Sequence, residues 1–304
     1  MNTTHRPSHL LAFEDERSMA DALASALGVP LALISRHRFP DGELKLRLPA
    51  QLSGTVVLLR SLHQPNEKLV ELLISAPAAR ELGAQRVLLA CPYLAYMRQD
   101  SAFQPGEAVS QRHIAHLLAQ CFDAVVTVDP HLHRISSLDE VMPGSRGVAL
   151  SAARLVGAWV AQQVDHPLLL GPDEESAQWV REAAQASVAQ QLPPLEHAWC
   201  LKHRRGDHDV TVRLPPDLAL RGRAVVLIDD MASTGRTLVA AAQLCLAAGA
   251  ASVDVAVSHA LFVGDAIAQL QATGVRHVWS TDCVPHPSNA ISVVPLLAKA
   301  LLDL

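Results

Sequence analysis

The chain has 304 residues, half of them hydrophobic and 18% charged, which suits one large or two ordinary domains and is too apolar for disorder. Its 25 Lys and Arg against 30 Asp and Glu give a formal charge of −5, which excludes the cationic footprint of a general nucleic-acid binder but allows a local basic pocket for a small anion. No apolar run reaches the roughly 18–20 residues that span a bilayer, and Glu14, Asp15 and Glu16 interrupt the early stretch that a secretory leader would need.

In chain order, short β-rich apolar runs alternate with longer Ala- and Leu-rich stretches. A strand is predicted over Thr55–Leu59, then a helix over Asn66–Leu82 that stops at Gly83. Strands follow at Arg86–Cys91 and Ala124–Val128. The turn-rich string MPGSRG, residues 142–147, marks a domain boundary, with one domain over 1–146 and a second over 147–304. In the second, helices over Ser151–Gln163 and Glu175–Ala189 bracket a strand at Pro167–Leu170. The polar run His203–Asp209 separates two strand-like runs and reads as a hairpin or loop. A strand at Ala224–Ile228, a helix over Thr237–Ala248 closing at Gly249, a strand at Ser252–Val257 and a last helix over Val293–Leu302 complete the order. Strands that are apolar on both faces belong to parallel sheets covered by helices, so the chain reads as an α/β protein of two similar domains. Five scattered cysteines with no C-x-x-C pair read as reduced core thiols of a cytoplasmic protein, without a cysteine-built zinc site.

The segment Ala224–Leu238, AVVLIDDMASTGRTL, carries the most chemistry. A buried strand ends in Asp229 and Asp230, a tight loop of Ser233, Thr234 and Gly235 follows, and a helix opens at Arg236–Thr237. Free amides at a helix N-terminus, with hydroxyls beside them, favour phosphate, and small residues let the backbone approach it closely. Two carboxylates at the carboxyl edge of a sheet are placed to accept hydrogen bonds from sugar hydroxyls. Asp-Asp alone is also an ordinary solvated strand end, and Ser-Thr-Gly alone an ordinary helix cap; the whole string suits a ribose phosphate. Neither a Walker A sequence nor G-x-G-x-x-G occurs.

That string resembles the phosphoribosyl-pyrophosphate (PRPP) motif shared by type I phosphoribosyltransferases and PRPP synthetases. Further segments separate those two groups: RFPDGE at Arg38–Glu43, CPYLAYMRQD at Cys91–Asp100, FQPGEAVS at Phe103–Ser110, VDPHLH at Val128–His133, LGPDEES at Leu170–Ser176, LKHRR at Leu201–Arg205 and TDCVPHPSNAIS at Thr281–Ser292. Each resembles, in order and spacing, a segment of the ribose-phosphate pyrophosphokinases, from about Leu10 to the last residues. The resemblance implies two tandem type I phosphoribosyltransferase-like domains. It also implies Mg²⁺-dependent transfer of the β,γ-diphosphoryl group of ATP to the 1-hydroxyl of ribose 5-phosphate. It implies that Phe39, Asp41 and Glu43 hold the adenine of ATP from a neighbouring subunit's hairpin, so that a homo-oligomer, at least a dimer, shares its ATP sites. Arg98, Gln99 and Asp100 line the ATP site, His131 and Asp173 attend Mg²⁺, Lys202 and Arg204 are the catalytic cations, and Asp229, Asp230, Ser233, Thr234, Gly235, Arg236 and Thr237 bind ribose 5-phosphate.

Ser233, Arg236 and Ser101 stand where many members have Asp, Gly and a basic residue, and Asp129-Pro130-His131 replaces Asp-Leu-His; Ser233, GPDEES, PGEA and the short catalytic loop resemble archaeal-type or divergent bacterial members. Two rivals remain at this stage. A PRPP-consuming phosphoribosyltransferase has no use for the adenine hairpin or the Lys202/Arg204 loop. A non-catalytic regulatory paralogue has no need to retain Lys202, Arg204, His131 and Asp173.

Overall fold

The computed structural model describes residues 6–102, 104–132, 134–190, 193–204 and 210–304, with the backbone alone described at 189, 190, 202–204, 210 and 211. The chain divides into two compact units, Met1–Leu150 with Val293–Leu304, and Ser151–Ser292. The first contains β1 (Pro7–Ala12), α1 (Arg17–Leu27), β2 (Leu31–Leu33), β3 (Ser35–Arg38), β4 (Leu44–Arg47), β5 (Thr55–Leu59), α2 (Pro65–Glu81), β6 (Arg86–Cys91), α3 (Ser110–Cys121), β7 (Ala124–Val128) and β8 (Arg146–Leu150). The second contains α4 (Ala153–Gln163), β9 (Leu168–Gly171), α5 (Ala177–Ala184), β10 (His197–Trp199), β11 (Leu201–Arg204), β12 (Val210–Arg213), β13 (Ala224–Ala232), α6 (Arg236–Ala247), β14 (Ser252–Ala260), α7 (Ala266–Thr273), β15 (Val275–Thr281) and β16 (Asn289–Ile291). The last helix, α8 (Val294–Leu302), returns to the first unit.

The boundary expected between 146 and 147 needs correction. Residue 146 opens β8, which pairs in parallel with β7 and belongs to the first sheet. The turn residues at 142–147 therefore lead into a strand and do not link domains. The closing helix was expected in the second domain, but α8 buries Val294, Leu297, Ala298 and Leu301 and packs on α1, β7 and β8 of the first.

The two main sheets have the same order, β2-β1-β5-β6-β7-β8 and β10-β9-β13-β14-β15-β16, with parallel pairing throughout. The inner strands are apolar on both faces: every residue of β5, β7, β9 and β14 is buried. In the second unit, α6 covers the face carrying Leu227 and Val255, and α4 and α5 cover the face carrying Ile228 and Ala256. In each sheet the strand order turns back between the first and third of its strands in chain order, at β1/β5 and at β9/β13. Open α/β sheets bind ligands at the carboxyl ends of strands at such a switch point. Two antiparallel hairpins project besides, β3–β4 and β11–β12. The second flanks the expected polar loop, whose residues 205–209 lie outside the described residues.

In the first unit the switch point is filled by charges. The fully buried Arg60, just after β5, pairs with Asp15, Glu16 and Glu71, while Arg36 also reaches Glu71. Lys68 donates to the Ser61 carbonyl at 2.7 Å and lies 3.1 Å from His63 Nε2. Arg36, Arg60, Lys68 and Glu71 line a cavity of about 460 Å³ at the start of α2. Burial first, and then the Lys68 and Arg60 cations, push the His63 imidazole down to about 4.

Two outcomes follow from this packing. A methyl group at Gly157 on α4 would overlap the Ala183 carbonyl of α5. Gly157→Ala is expected to cost about 1–3 kcal/mol, read from the urea midpoint, unless the two helices separate without resistance. For His63, whose folded pKa is depressed, the unfolded chain takes up the proton first. Stability is therefore complete above the ordinary value of 6.5 and is lost as pH falls from there toward about 4. His63→Gln should flatten that part of the thermal-midpoint profile, and an unchanged slope would clear His63 of the effect.

Candidate active site

The second unit's switch point is built from β9 and β13, which pair through Leu170 and Leu227. Their carboxyl ends bring Asp173, Asp229 and Asp230 into one electrostatic cluster. Asp173 turns the chain into α5: its Oδ1 accepts the amides of Glu175 at 3.0 Å and Ser176 at 3.3 Å, and Ser176 Oγ donates to its carbonyl at 2.7 Å. Gly171 is required here because a Cβ would overlap Ser176 Oγ. Asp230 is buried, and its amide donates to Asp229 Oδ1 at 3.0 Å. Burial, then the charges of Asp230 and Asp173, raise the Asp229 carboxyl well above the usual carboxylate range.

Past β13 the loop is anchored from behind. The amides of Leu261 and Val263 donate to the carbonyls of Ala232 (2.9 Å) and Ser233 (3.1 Å). Gly235 sits at the N-cap of α6 with φ +70°, a conformation that glycine adopts without strain, and no side chain caps the helix. The first amides of α6 thus face outward beside exposed Thr234, Arg236 and Thr237 and half-buried Ser233. The expected set Asp229, Asp230, Ser233–Thr237 and Asp173 is therefore gathered in one unit, with hydrogen-bond acceptors adjoining the glycine-led start of α6. Lys202 and Arg204 lie on β11; their side chains are outside the described residues.

The first unit holds the remaining expected residues, in three places. Phe39, Asp41 and Glu43 form the exposed tip of the β3–β4 hairpin, where Phe39 and Glu43 share a backbone bond of 2.9 Å and Gly42 takes φ +98°. Phe39 meets His37 edge-on at 4.8 Å, and its arginine neighbour Arg38 pairs with Glu67 of α2. Arg98, Gln99 and Asp100 lie in the loop after β6: Arg98 is exposed, Gln99 Nε2 donates to the Ser101 carbonyl at 3.1 Å, and Asp100 is buried. His131 follows β7, in a loop launched by Asp129 at φ +38°, whose amide donates to the Leu150 carbonyl at 2.7 Å. His133 and Phe103 of the matched segments fall outside the described residues. One charged residue was missed from sequence: Arg134 pairs with Asp100 across two loops. Its signal was only its place directly after VDPHLH.

Among the described residues no group of three or more His, Cys, Asp and Glu side chains could hold a metal ion by itself. The donor set still fits Mg²⁺, which binds proteins through one or two carboxylates and completes its shell with substrate phosphates and water. The raised Asp229 carboxyl reflects burial first and then its two acidic neighbours. At neutral pH the strain of ionising it lowers stability, a penalty that grows as pH rises above the ordinary value of 3.8. Asp229→Asn is thus expected to raise the thermal midpoint of the ligand-free protein by roughly 2–4 °C at pH 7. A lower midpoint would mean that the cluster is already compensated.

Residues 8–121 match the N-terminal domain of ribose phosphate pyrophosphokinase, and residues 149–295 match the phosphoribosyl transferase domain. The chain is 37% identical over 298 residues to the ribose-phosphate pyrophosphokinase of Methanopyrus kandleri, covering 97% of this chain and 99% of that protein. It is 33% identical over 289 residues to the protein of the same name from Methanothermobacter thermautotrophicus, covering 94% and 97%. The crystal structure of phosphoribosylpyrophosphate synthetase from Mycobacterium smegmatis shares the fold, with a TM-score of 0.79 over 97% of both chains at 24% identity. The archaeal relatives agree with the leaning of the motifs. Similarity that runs through both units at this level places the chain in the ribose-phosphate pyrophosphokinase family.

Proposed function

We propose that the protein is a cytoplasmic ribose-phosphate diphosphokinase that converts ATP and ribose 5-phosphate into PRPP and AMP. The observation that carries this reading is the contiguity of Asp229 and Asp230 with the uncapped, glycine-led start of α6. A sugar phosphate needs both ends of that arrangement at once. Phosphoribosyltransferases share the motif, but the match to the N-terminal synthetase domain over residues 8–121 favours the synthetase.

In this reading the 5-phosphate rests on the amides and hydroxyls of Ser233–Thr237, with Arg236 adding a cation, and Asp229 and Asp230 accept from the sugar hydroxyls. Arg98 and Gln99 line the nucleotide site, with Asp100 completing their string from behind, and the hairpin tip of an adjoining subunit brings its Phe39, Asp41 and Glu43 to the adenine, so the working form is at least a dimer. The 1-hydroxyl oxygen attacks the β-phosphorus and gives up its proton to solvent, while the bond from that phosphorus to the AMP oxygen breaks and its electron pair leaves with AMP. Lys202 and Arg204 offset the charge that builds on the transferring group and on departing AMP. Such transfer is accelerated mainly by positioning and cations. Asp173 in the second unit and His131 in the first each stand at a position that the resemblance associates with Mg²⁺, and the ion, when bound, would neutralise the substrate phosphates.

The deciding assay supplies ATP, Mg²⁺ and ribose 5-phosphate to purified protein and measures AMP and PRPP together. Equal amounts of both are expected; neither product from protein that binds both substrates would favour the regulatory paralogue. Lys202→Ala is expected to lower kcat by about 10²–10³-fold with the KM for ATP changed only a few-fold. An unchanged kcat would remove Lys202 from catalysis.

A further inference from the structure

We propose that Arg134 binds the ATP polyphosphate, held in place through its Nε by the buried carboxylate of Asp100. The inference deepens the proposed function and rests on ATP being the donor. Asp100 ends the Arg98–Gln99–Asp100 string but is poorly placed to meet a nucleotide, since its side chain is only 7% exposed and a carboxylate repels phosphate. A buried carboxylate needs a cation, and Arg134 supplies it: Nε donates to Asp100 Oδ1 at 3.3 Å. That contact occupies the inner edge of the guanidinium. The two terminal nitrogens lie beyond it, on a side chain that is 59% exposed. A guanidinium serving only to neutralise Asp100 would gain more from a two-point pairing; a one-point pairing through Nε leaves the outer fork free for two oxygens of one phosphate.

The setting points to the same ligand. The loops carrying Asp100 and Arg134 follow β6 and β7, adjacent parallel strands, so both lie at the carboxyl edge of the first sheet. Exposed Arg98 is two residues from Asp100 in the first of these loops. The second is fixed where it leaves the sheet, by the left-handed turn at Asp129 and its bond to Leu150. Arg98 and Arg134 thus form two cations on one edge of a chain whose formal charge is −5. Local cations of this kind are what a polyphosphate needs from an otherwise anionic protein. The side chain of Asp100 then acts as a positioning residue, and Arg134 as the group that touches the nucleotide.

The test is calorimetric titration of the full-length protein with Mg–ATP and with AMP, alongside steady-state kinetics. Arg134→Gln should weaken ATP binding and raise the KM for ATP about tenfold. AMP binding, the KM for ribose 5-phosphate and the thermal midpoint should change little. Arg134→Lys keeps the charge but loses the Nε anchor, so it should recover only part of the loss. Asp100→Asn should weaken ATP binding in the same sense by releasing the guanidinium. The inference is overturned if Arg134→Gln binds ATP as the wild type does, or if it loses ATP, AMP and ribose 5-phosphate alike. The titration reads Arg134 whether or not product forms. A wild type that binds ATP without making PRPP and AMP would overturn the proposed function alone, and one that binds no ATP would overturn both.

Discussion

Three carboxylates meet at one strand-end crevice, and burial together with its two acidic neighbours makes the Asp229 carboxyl costly to ionise. Asp173, Asp229 and Asp230 are drawn together because β9 and β13 are adjacent and parallel, and because Gly171 lets the chain fold back tightly onto Ser176. The rest of the second unit accommodates that cluster. Its apolar strands fix where the chain ends emerge, and α6 presents unbonded amides beside the acids. The proposed sugar phosphate with its cation would answer both demands, with phosphate at the amides and hydroxyls and positive charge at the acids. In that reading the raised Asp229 carboxyl is a cost in stability accepted for function.

The first unit repeats the topology and solves the same problem internally. At its own switch point Arg60 takes the central position, ringed by Asp15, Glu16 and Glu71, with Lys68 and Arg36 completing the charges. The helix that follows also begins after a left-handed residue, Gln64 at φ +53°, much as α6 begins after Gly235. A buried arginine with three acid partners leaves little call for a further anion. One copy of the crevice thus has its acids paired with protein cations, which line a cavity there, while in the other the acids adjoin a helix start, and the first unit's expected site residues lie on the hairpin and on the loops after β6 and β7.

Much of this was legible in the chain. The apolar runs at Thr55–Leu59, Arg86–Cys91 and Ala124–Val128 coincide with β5, β6 and β7, because a strand buried on both faces leaves an unbroken hydrophobic signature. The phosphate loop was legible for a related reason: its chemistry is contiguous. What escaped was non-local. The helix expected over Glu175–Ala189 is α-helical only to Ala184, whose carbonyl is taken by the Leu195 amide at 2.9 Å, and the chain continues as a 3₁₀ turn. The Asp100–Arg134 pair joins two loops whose closeness depends on the sheet order. The domain boundary was set too early because the turn residues at 142–147 lead into β8, whose pairing with β7 is not local, and the return of α8 to the first unit leaves no mark in the chain.

That return has a consequence for how the chain acquires its structure. The second unit is one continuous stretch inserted into the first, and it has all its elements once Ser292 has been synthesised. The first unit is not complete at that point, because the pocket that receives Leu297 and Leu301 beside α1 stays open until α8 leaves the ribosome. Domains generally fold as units during synthesis. Here the half made first is the half finished last, and its unsealed apolar face is what a nascent chain would show to chaperones.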